Sequence, residues 1–154
     1  MVYVLLNGID YIKTKQILWA KRNGIFLYSS KPDKGLPIYT DSIDNNLYSP
    51  LNPELVVNFK QADGNEISDT SSSPANMKAL HSSSALVVNF FQYWFEIKKS
   101  YQIAHACGFC KKGNKSSEII NFEGKYKIDD RYTYTPNIDV VIENSKNSSY
   151  AVFA

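Results

Sequence analysis

Residues 85–95 read Ala-Leu-Val-Val-Asn-Phe-Phe-Gln-Tyr-Trp-Phe, an apolar run interrupted only by Asn89 and Gln92. Ser82-Ser83-Ser84 stand just before it and supply hydroxyls suited to capping a helix N-terminus. Leu86, Phe90, Tyr93 and Trp94 recur at i, i+4, i+7 and i+8, and Val87 and Phe91 widen that face. The pattern predicts a helix buried centrally, and any fold open to this chain must supply surfaces to cover it.

At 154 residues the chain has room for one domain and little more. Hydrophobic residues make up 44% and charged residues 21%, which excludes a wholly disordered chain, a collagen-like repeat or a coiled coil. The net charge of +2 selects no partner by itself. Residues 1–75 carry seven basic and eight acidic side chains and residues 76–154 ten and seven, a mild C-terminal excess that permits a polyanion contact. No apolar run reaches the roughly 20 residues of a membrane span. The opening Met1-Val2-Tyr3-Val4-Leu5-Leu6 lacks the basic start of a secretory signal. Cys107 and Cys110 are too close in sequence to staple distant segments. A cytoplasmic protein without a membrane partner is the expectation.

Val2, Val4 and Leu6 suit one face of a strand ending at Asn7-Gly8. Ile12, Gln16, Ile17 and Trp19-Ala20 suit a short helix stopped by Asn23-Gly24, and Ile25–Tyr28 a brief strand. Residues 29–53 are rich in Pro, Gly, Asp, Asn and Ser and read as a loop or packed extended segment. Asn52-Pro53 then opens a helix, with Asn52 as cap and Pro53 at the first helical position. Residues 68–76 form a polar break, the candidate boundary between an extension (1–75) and a core (76–154). A second helix over residues 97–107 ends at Gly108, and Lys111-Lys112-Gly113-Asn114 is a turn. Strands follow at Ile119–Glu123, at Pro136–Ile142 beyond the Asp129-Asp130-Arg131 turn, and at Tyr150–Ala154 beyond a polar hairpin at 144–149. The sequence ends inside that apolar strand.

Asp139 is a lone carboxylate at the start of a strand that should be buried, where an unpaired charge is costly. It either bonds backbone groups at a strand edge or ligates a cation such as Mg²⁺, which takes one or two carboxylates together with phosphate oxygens. Glu123, on the preceding strand, could lie beside it.

The order helix, strand, hairpin, Pro-x-x-Asp strand, polar hairpin, apolar strand is similar to the core of the PD-(D/E)XK nucleases. The local wording resembles an uncharacterised bacterial PD-(D/E)XK nuclease-like group. The resembling segments are residues 46–51 (Asn-Leu-Tyr-Ser-Pro-Leu), 62–67 (Ala-Asp-Gly-Asn-Glu-Ile), 77–91 and 135–142, of which Ser82–Phe91 and Pro136-Asn137-Ile138-Asp139 are distinctive. The resemblance implies an α/β fold: a restriction-endonuclease-like core with a central mixed sheet flanked by helices, incomplete at the C-terminus, behind an irregular α+β extension. It implies Mg²⁺-dependent hydrolysis of DNA phosphodiesters, with Asp139 as metal ligand and catalytic residue and Glu123 as assisting carboxylate. The family's Glu-x-Lys belongs on the third strand, and Tyr150–Ala154 ends where that pair should come. Glu96-Ile97-Lys98 has the spacing but lies between helices. The chain therefore reads as a truncated nuclease, inactive as this fragment. The alternative is a non-catalytic DNA-binding or protein-interaction module on a degenerate nuclease fold. An unfinished third strand would also leave an open sheet edge for a homodimer.

Ser82, Ser83 and Asn89 are candidate phosphate contacts at a helix N-terminus, against a reading in which the serines cap the helix and Asn89 fixes a neighbouring segment. Lys98, Lys99, Lys125 and Arg131 belong to a basic, Tyr-interleaved stretch that suits either a DNA backbone track or a solvated face. His105-Ala106-Cys107-Gly108-Phe109-Cys110, with His81, has zinc-like residue types at an unusual spacing. Its Cys-Gly-x-Cys lies at a helix end, opposite to where a redox dithiol is activated.

Overall fold

The computed structural model of the chain describes residues 7–31, 35–61, 65–114, 117–127, 129–131, 133, 135–144 and 150–153. Asn7 accepts from the backbone N–H of Asp10 and opens α1 (Gly8–Arg22), longer than the short helix expected. Asn23 closes it, and Gly24 follows at φ 68°, a conformation that glycine adopts without steric cost. The strand expected over Val2–Leu6 lies outside the described residues.

Residues 35–53 are packed rather than loose. β1 (Leu27–Tyr28) pairs antiparallel with β2 (Tyr39–Thr40), and a 3₁₀ turn covers Ile43–Asn46. Three amides stitch this stretch to the rest of the molecule. Asn46 Nδ2 donates to the carbonyls of Met77 and Ala79, both at 2.8 Å. Asn89 accepts from the Tyr48 N–H and donates to the Asn46 carbonyl. The buried Gln92 accepts from the Asn52 N–H and donates to Ser49 Oγ and the Pro50 carbonyl, so its desolvated amide is fully engaged.

α2 (Pro53–Gln61) starts as its sequence requires, with Asn52 Oδ1 accepting from the Glu54 N–H at 2.9 Å. The polar stretch at 68–76 folds on itself: Asp69 takes the Ala75 N–H and pairs with Lys78 Nζ at 2.7 Å. Ala75 and Met77 are fully buried at its end. α3 (Ser83–Glu96) is capped by Ser82, whose Oγ accepts from the Ala85 N–H. After a break in which Lys98 sits at φ 53°, α4 (Ser100–Ala106) runs to a turn with Gly108 at φ 79°.

β3 (Ser117–Lys125), β4 (Asn137–Asn144) and β5 (Tyr150–Phe153) form an antiparallel sheet in the order β3-β4-β5. The fold is thus mixed α and β, but among the described residues every strand pair is antiparallel, where a mixed sheet was expected. The polar hairpin expected at 144–149 lies largely outside the described residues.

One core joins both halves of the sequence. Leu55 and Phe59 of α2 pack with Ala85, Val88 and Phe91 of α3, Ile103 of α4, Ile120 and Phe122 of β3, and Val140 and Ile142 of β4. The helix face expected to be buried is so only in part: Phe91 is buried and Val87 and Trp94 pack against the core, as expected. Leu86, Phe90 and Tyr93 are 70%, 54% and 59% exposed, while Ala85, Val88, Phe91 and Gln92 face the core. The run is apolar around so much of its circumference that periodicity alone does not choose the face. Gln92, the residue that composition would place outside, is drawn inward by its three hydrogen bonds.

Candidate functional site

Seven residues into β3 the ladder meets a residue it does not suit. Glu123 has φ 52°, in the left-handed region a non-glycine residue rarely enters, and only 8% of its surface is exposed. Phe122 pairs with Val140 and Gly124 with Ile138, so Glu123 stands opposite Asp139 on the neighbouring strand. Like charges directly opposed across an antiparallel pair are unfavourable. The juxtaposition that the sequence suggested for these two carboxylates is therefore present, with Asp139 half-buried near the start of β4.

A third carboxylate joins them through α3. Ser84 Oγ lies 3.0 Å from Oε1 of Glu123 and 2.8 Å from Oε2 of Glu66, while Glu66 Oε1 accepts from Asn76 Nδ2. A serine hydroxyl has one proton to give. It can donate to one carboxylate only, so the second contact is favourable only when one carboxyl group carries a proton. Burial pushes the Glu123 carboxyl up to about 7, and the charges of Glu66 and Asp139 add to the rise. A hydrogen bond from Ser84 to Glu123 opposes it. The raised Glu123 carboxyl takes up such a proton as the pH falls through about 7, and Ser84 is then left to donate to Glu66 alone.

Each end of the cluster borders a separate cavity. One, of about 240 Å³, is lined by Tyr39, Glu66, Asn76, His81 and Ser82–Ser84. The other, of about 380 Å³, is lined by Asn58, Gln61, Asn121, Glu123, Lys125 and Tyr126. The Tyr126 ring lies over Gly124, where a built Cβ would come within 2.4 Å of it, and its hydroxyl donates to Glu143. Gly124 is thus fixed by close approach rather than by its φ.

Glu123-Gly124-Lys125 is itself a Glu-x-Lys tripeptide, on the first strand of the three-stranded sheet, and both ends of it border the same cavity. Sequence reasoning sought that spacing on the third strand and passed over it here. Glu66 was also missed. It lay in plain view within the Asn65-Glu66-Ile67 segment, but only the fold brings it to Ser84.

The other candidates are dispersed. Ser82 caps α3, and Ser83, exposed at its first position, borders a cavity with His81. Both hydrogen bonds of Asn89 go to backbone at 46–48, which matches the reading of Asn89 as a fixing residue. Lys98 sits over the Phe95 ring and 3.8 Å from Glu54; Lys99 is exposed at the start of α4. Arg131 is engaged by Asp129 at 2.7 Å, within the turn expected there. His105 Nδ1 bonds the Cys110 carbonyl and the Cys110 thiol meets the Tyr101 carbonyl, so both groups close the α4 turn.

Among the described residues no three His, Cys, Asp or Glu side chains are gathered tightly enough to hold an ion as a set, and no helix is long and apolar enough to cross a membrane. No protein-family model, no curated protein and no solved structure matches the chain.

Proposed function

We propose that the chain, which its sequence suggests is a truncated and inactive nuclease, holds in Glu123, Asp139 and Lys125 enough of a nuclease-type site of restriction-endonuclease-like architecture to act on DNA phosphodiesters with Mg²⁺. The observation that carries this reading is Glu123, a buried carboxyl held in a strained backbone opposite Asp139 and beside Glu66. A fold does not gather carboxyls in its interior for stability, and conformational strain of this kind concentrates at functional sites.

The donor set fits the cation. Mg²⁺ is a hard ion that takes one or two carboxylates and completes its octahedron with waters and phosphate oxygens. Glu123 and Asp139 would hold it, and neutral Glu123 has to yield its proton to do so. The ion would supply an activated water and offset charge on the phosphorus. Lys125 is suited to orient a phosphate at the mouth of the same cavity, and Glu66, through Ser84, fixes the Glu123 carboxyl.

The test is nicking of supercoiled plasmid by the chain in Mg²⁺ and in EDTA, alongside Mg²⁺ titration followed by calorimetry. Metal-dependent nicking that falls at least 100-fold in Asp139→Asn, with loss of the calorimetric signal, supports the site. Equal nicking by Asp139→Asn removes it.

A second reading, a non-catalytic interaction module that includes self-association, is favoured by the exposed Leu86, Phe90 and Tyr93 on α3. Mg²⁺-independent, salt-sensitive DNA binding without cleavage, or concentration-dependent dimerisation, would mark it.

A further inference from the structure

The cavity of about 380 Å³ that Glu123 and Lys125 border has a second set of side chains, which hydrolysis alone leaves idle. α2 contributes Asn58 and Gln61, three residues apart and so on one face of the helix, and β3 contributes Asn121. Asn58 and Asn121 are half-buried and Gln61 is exposed. Among the described residues none of these three carboxamides has a hydrogen-bond partner. The amides that hold the fold together behave differently: Asn46, Asn89 and Gln92 each bond the backbone of a distant segment. An amide without such a task, at the wall of a cavity, keeps its donor and its acceptor for whatever enters.

The remaining walls constrain what enters. Gly124 puts no side chain between Glu123 and Lys125, and Tyr126, whose hydroxyl donates to Glu143, offers its ring. Among the described residues Lys125 is the one cation on these walls. Leu55 and Phe59 seat α2 on the core, with the Phe59 ring against that of Phe122, so the amides are carried by rigid elements next to Glu123. A fitting ligand has an anionic group for Lys125 and, close by, a planar edge that sets a donor beside an acceptor. A nucleotide has both. Among base edges adenine's is the one a carboxamide matches in both directions: the N6 amino group donates to the amide oxygen, and N7 accepts from the amide nitrogen. Guanine presents two acceptors there, cytosine a donor, and thymine an acceptor beside a methyl group.

We propose that Asn58, Gln61 and Asn121 form a base-reading subsite that selects an adenine next to the phosphate held at Glu123 and Lys125. The subsite rests on the nucleic-acid reading above and gives that site a sequence preference.

Fluorescence anisotropy of the full chain with labelled oligodeoxyadenylate, oligothymidylate and oligodeoxycytidylate of about 12 nucleotides tests it. Ca²⁺ replaces Mg²⁺, since it too takes oxygen ligands, and electrophoresis checks that the strands stay intact. The adenylate should bind about 5-fold tighter than the other two, or better. Asn58→Leu, Gln61→Leu and Asn121→Leu should each bring the adenylate down toward the thymidylate and leave the thymidylate unchanged. Lys125→Gln should weaken all three strands alike, through loss of a phosphate contact. Gln61 is exposed at the end of α2, so its replacement leaves the fold intact even where Asn121→Leu disturbs β3, and circular dichroism verifies this. Equal binding of the three strands, a preference for thymidylate or cytidylate, or an adenylate preference that survives all three amide variants overturns the subsite while leaving the nucleic-acid reading standing. No binding of any strand overturns both.

Discussion

The contact between α3 and β3 has two ends of opposite character. At one end Phe122 packs its ring 6.0 Å from Phe59 and 6.4 Å from Phe95, with Ile120 beside it and nothing polar to satisfy. At the other, one residue further along the strand, Ser84 meets Glu123 and Glu66 around a single hydroxyl proton. The same helix and strand thus make an ordinary core and, one residue along, an arrangement that disfavours folding. The lesson is a division of labour. The aromatic end anchors β3 on the helices, and the β3–β4 register opposes the carboxyls one residue along.

The largest expected effect lies at the aromatic end. Phe122→Ala removes a ring that is 2% exposed and touched by two others, and it should cost about 3–5 kcal/mol in urea unfolding. A loss under 1 kcal/mol would show that β3 is anchored on the helices elsewhere.

Next comes the carboxyl end, with the opposite sign. Glu123 has a folded pKa of about 7 against 4.5 for the free side chain. Between those values the folded state holds a proton that the unfolded state has released, so stability falls as pH rises through that window and levels off above it. Below the lower value both states are protonated and the group contributes nothing. Glu123→Gln should therefore stabilise the chain at pH 8 by on the order of 2–3 kcal/mol and leave it nearly unchanged at pH 4. Thermal melts of both proteins at the two pH values check the sign. A destabilised mutant at pH 8 would mean that the ionised carboxylate is welcome in the fold, and the contrast between the two ends would collapse.

A smaller effect calibrates both. Asn52 caps α2, the helix that brings Leu55 and Phe59 to the core, and Asn52→Ala should cost about 1 kcal/mol without pH dependence. A pH-dependent cost would tie the cap to the carboxyl cluster and blur the division.

These signals were unequally legible in the sequence. Caps and stops were plain, because Asn52-Pro53, Asn23-Gly24, Ser82 and Gly108 act locally through their own backbone. The pairing of Glu123 with Asp139 was within reach, since strand order and a lone acid in an apolar stretch suffice to suggest it. Glu66 was not. It is 18 residues from Ser84 and 57 from Glu123 in sequence, and it reaches them only because the 65–77 segment is pinned by Asn65, Asn76 and Asp69. The strained backbone of Glu123 left no trace in residue type, for a glycine there would have advertised it. The packing of residues 35–53 was one of two readings the sequence left open, as was the fixing role of Asn89; what it did not show were the amides of Asn46 and Gln92 that complete the attachment.

The buried face of α3 was read half correctly, with Val87, Phe91 and Trp94 against the core and Leu86, Phe90 and Tyr93 outside it, and it supplies the most delicate test. Leu86 and Phe90 are exposed, so Leu86→Gln and Phe90→Gln should each change stability by no more than about 0.5 kcal/mol. Val88 and Phe91, one and two residues away, face the core, and their replacement should cost several times more. The measurement that sharpens the contrast is a chemical melt of Leu86→Gln and Phe90→Gln at two protein concentrations a hundredfold apart. Equal, small shifts at both concentrations mean that this apolar face is open to solvent, as its exposure indicates. A loss that grows with concentration means that a second copy covers it in solution. The face that periodicity selected would then be buried after all, between chains rather than within one.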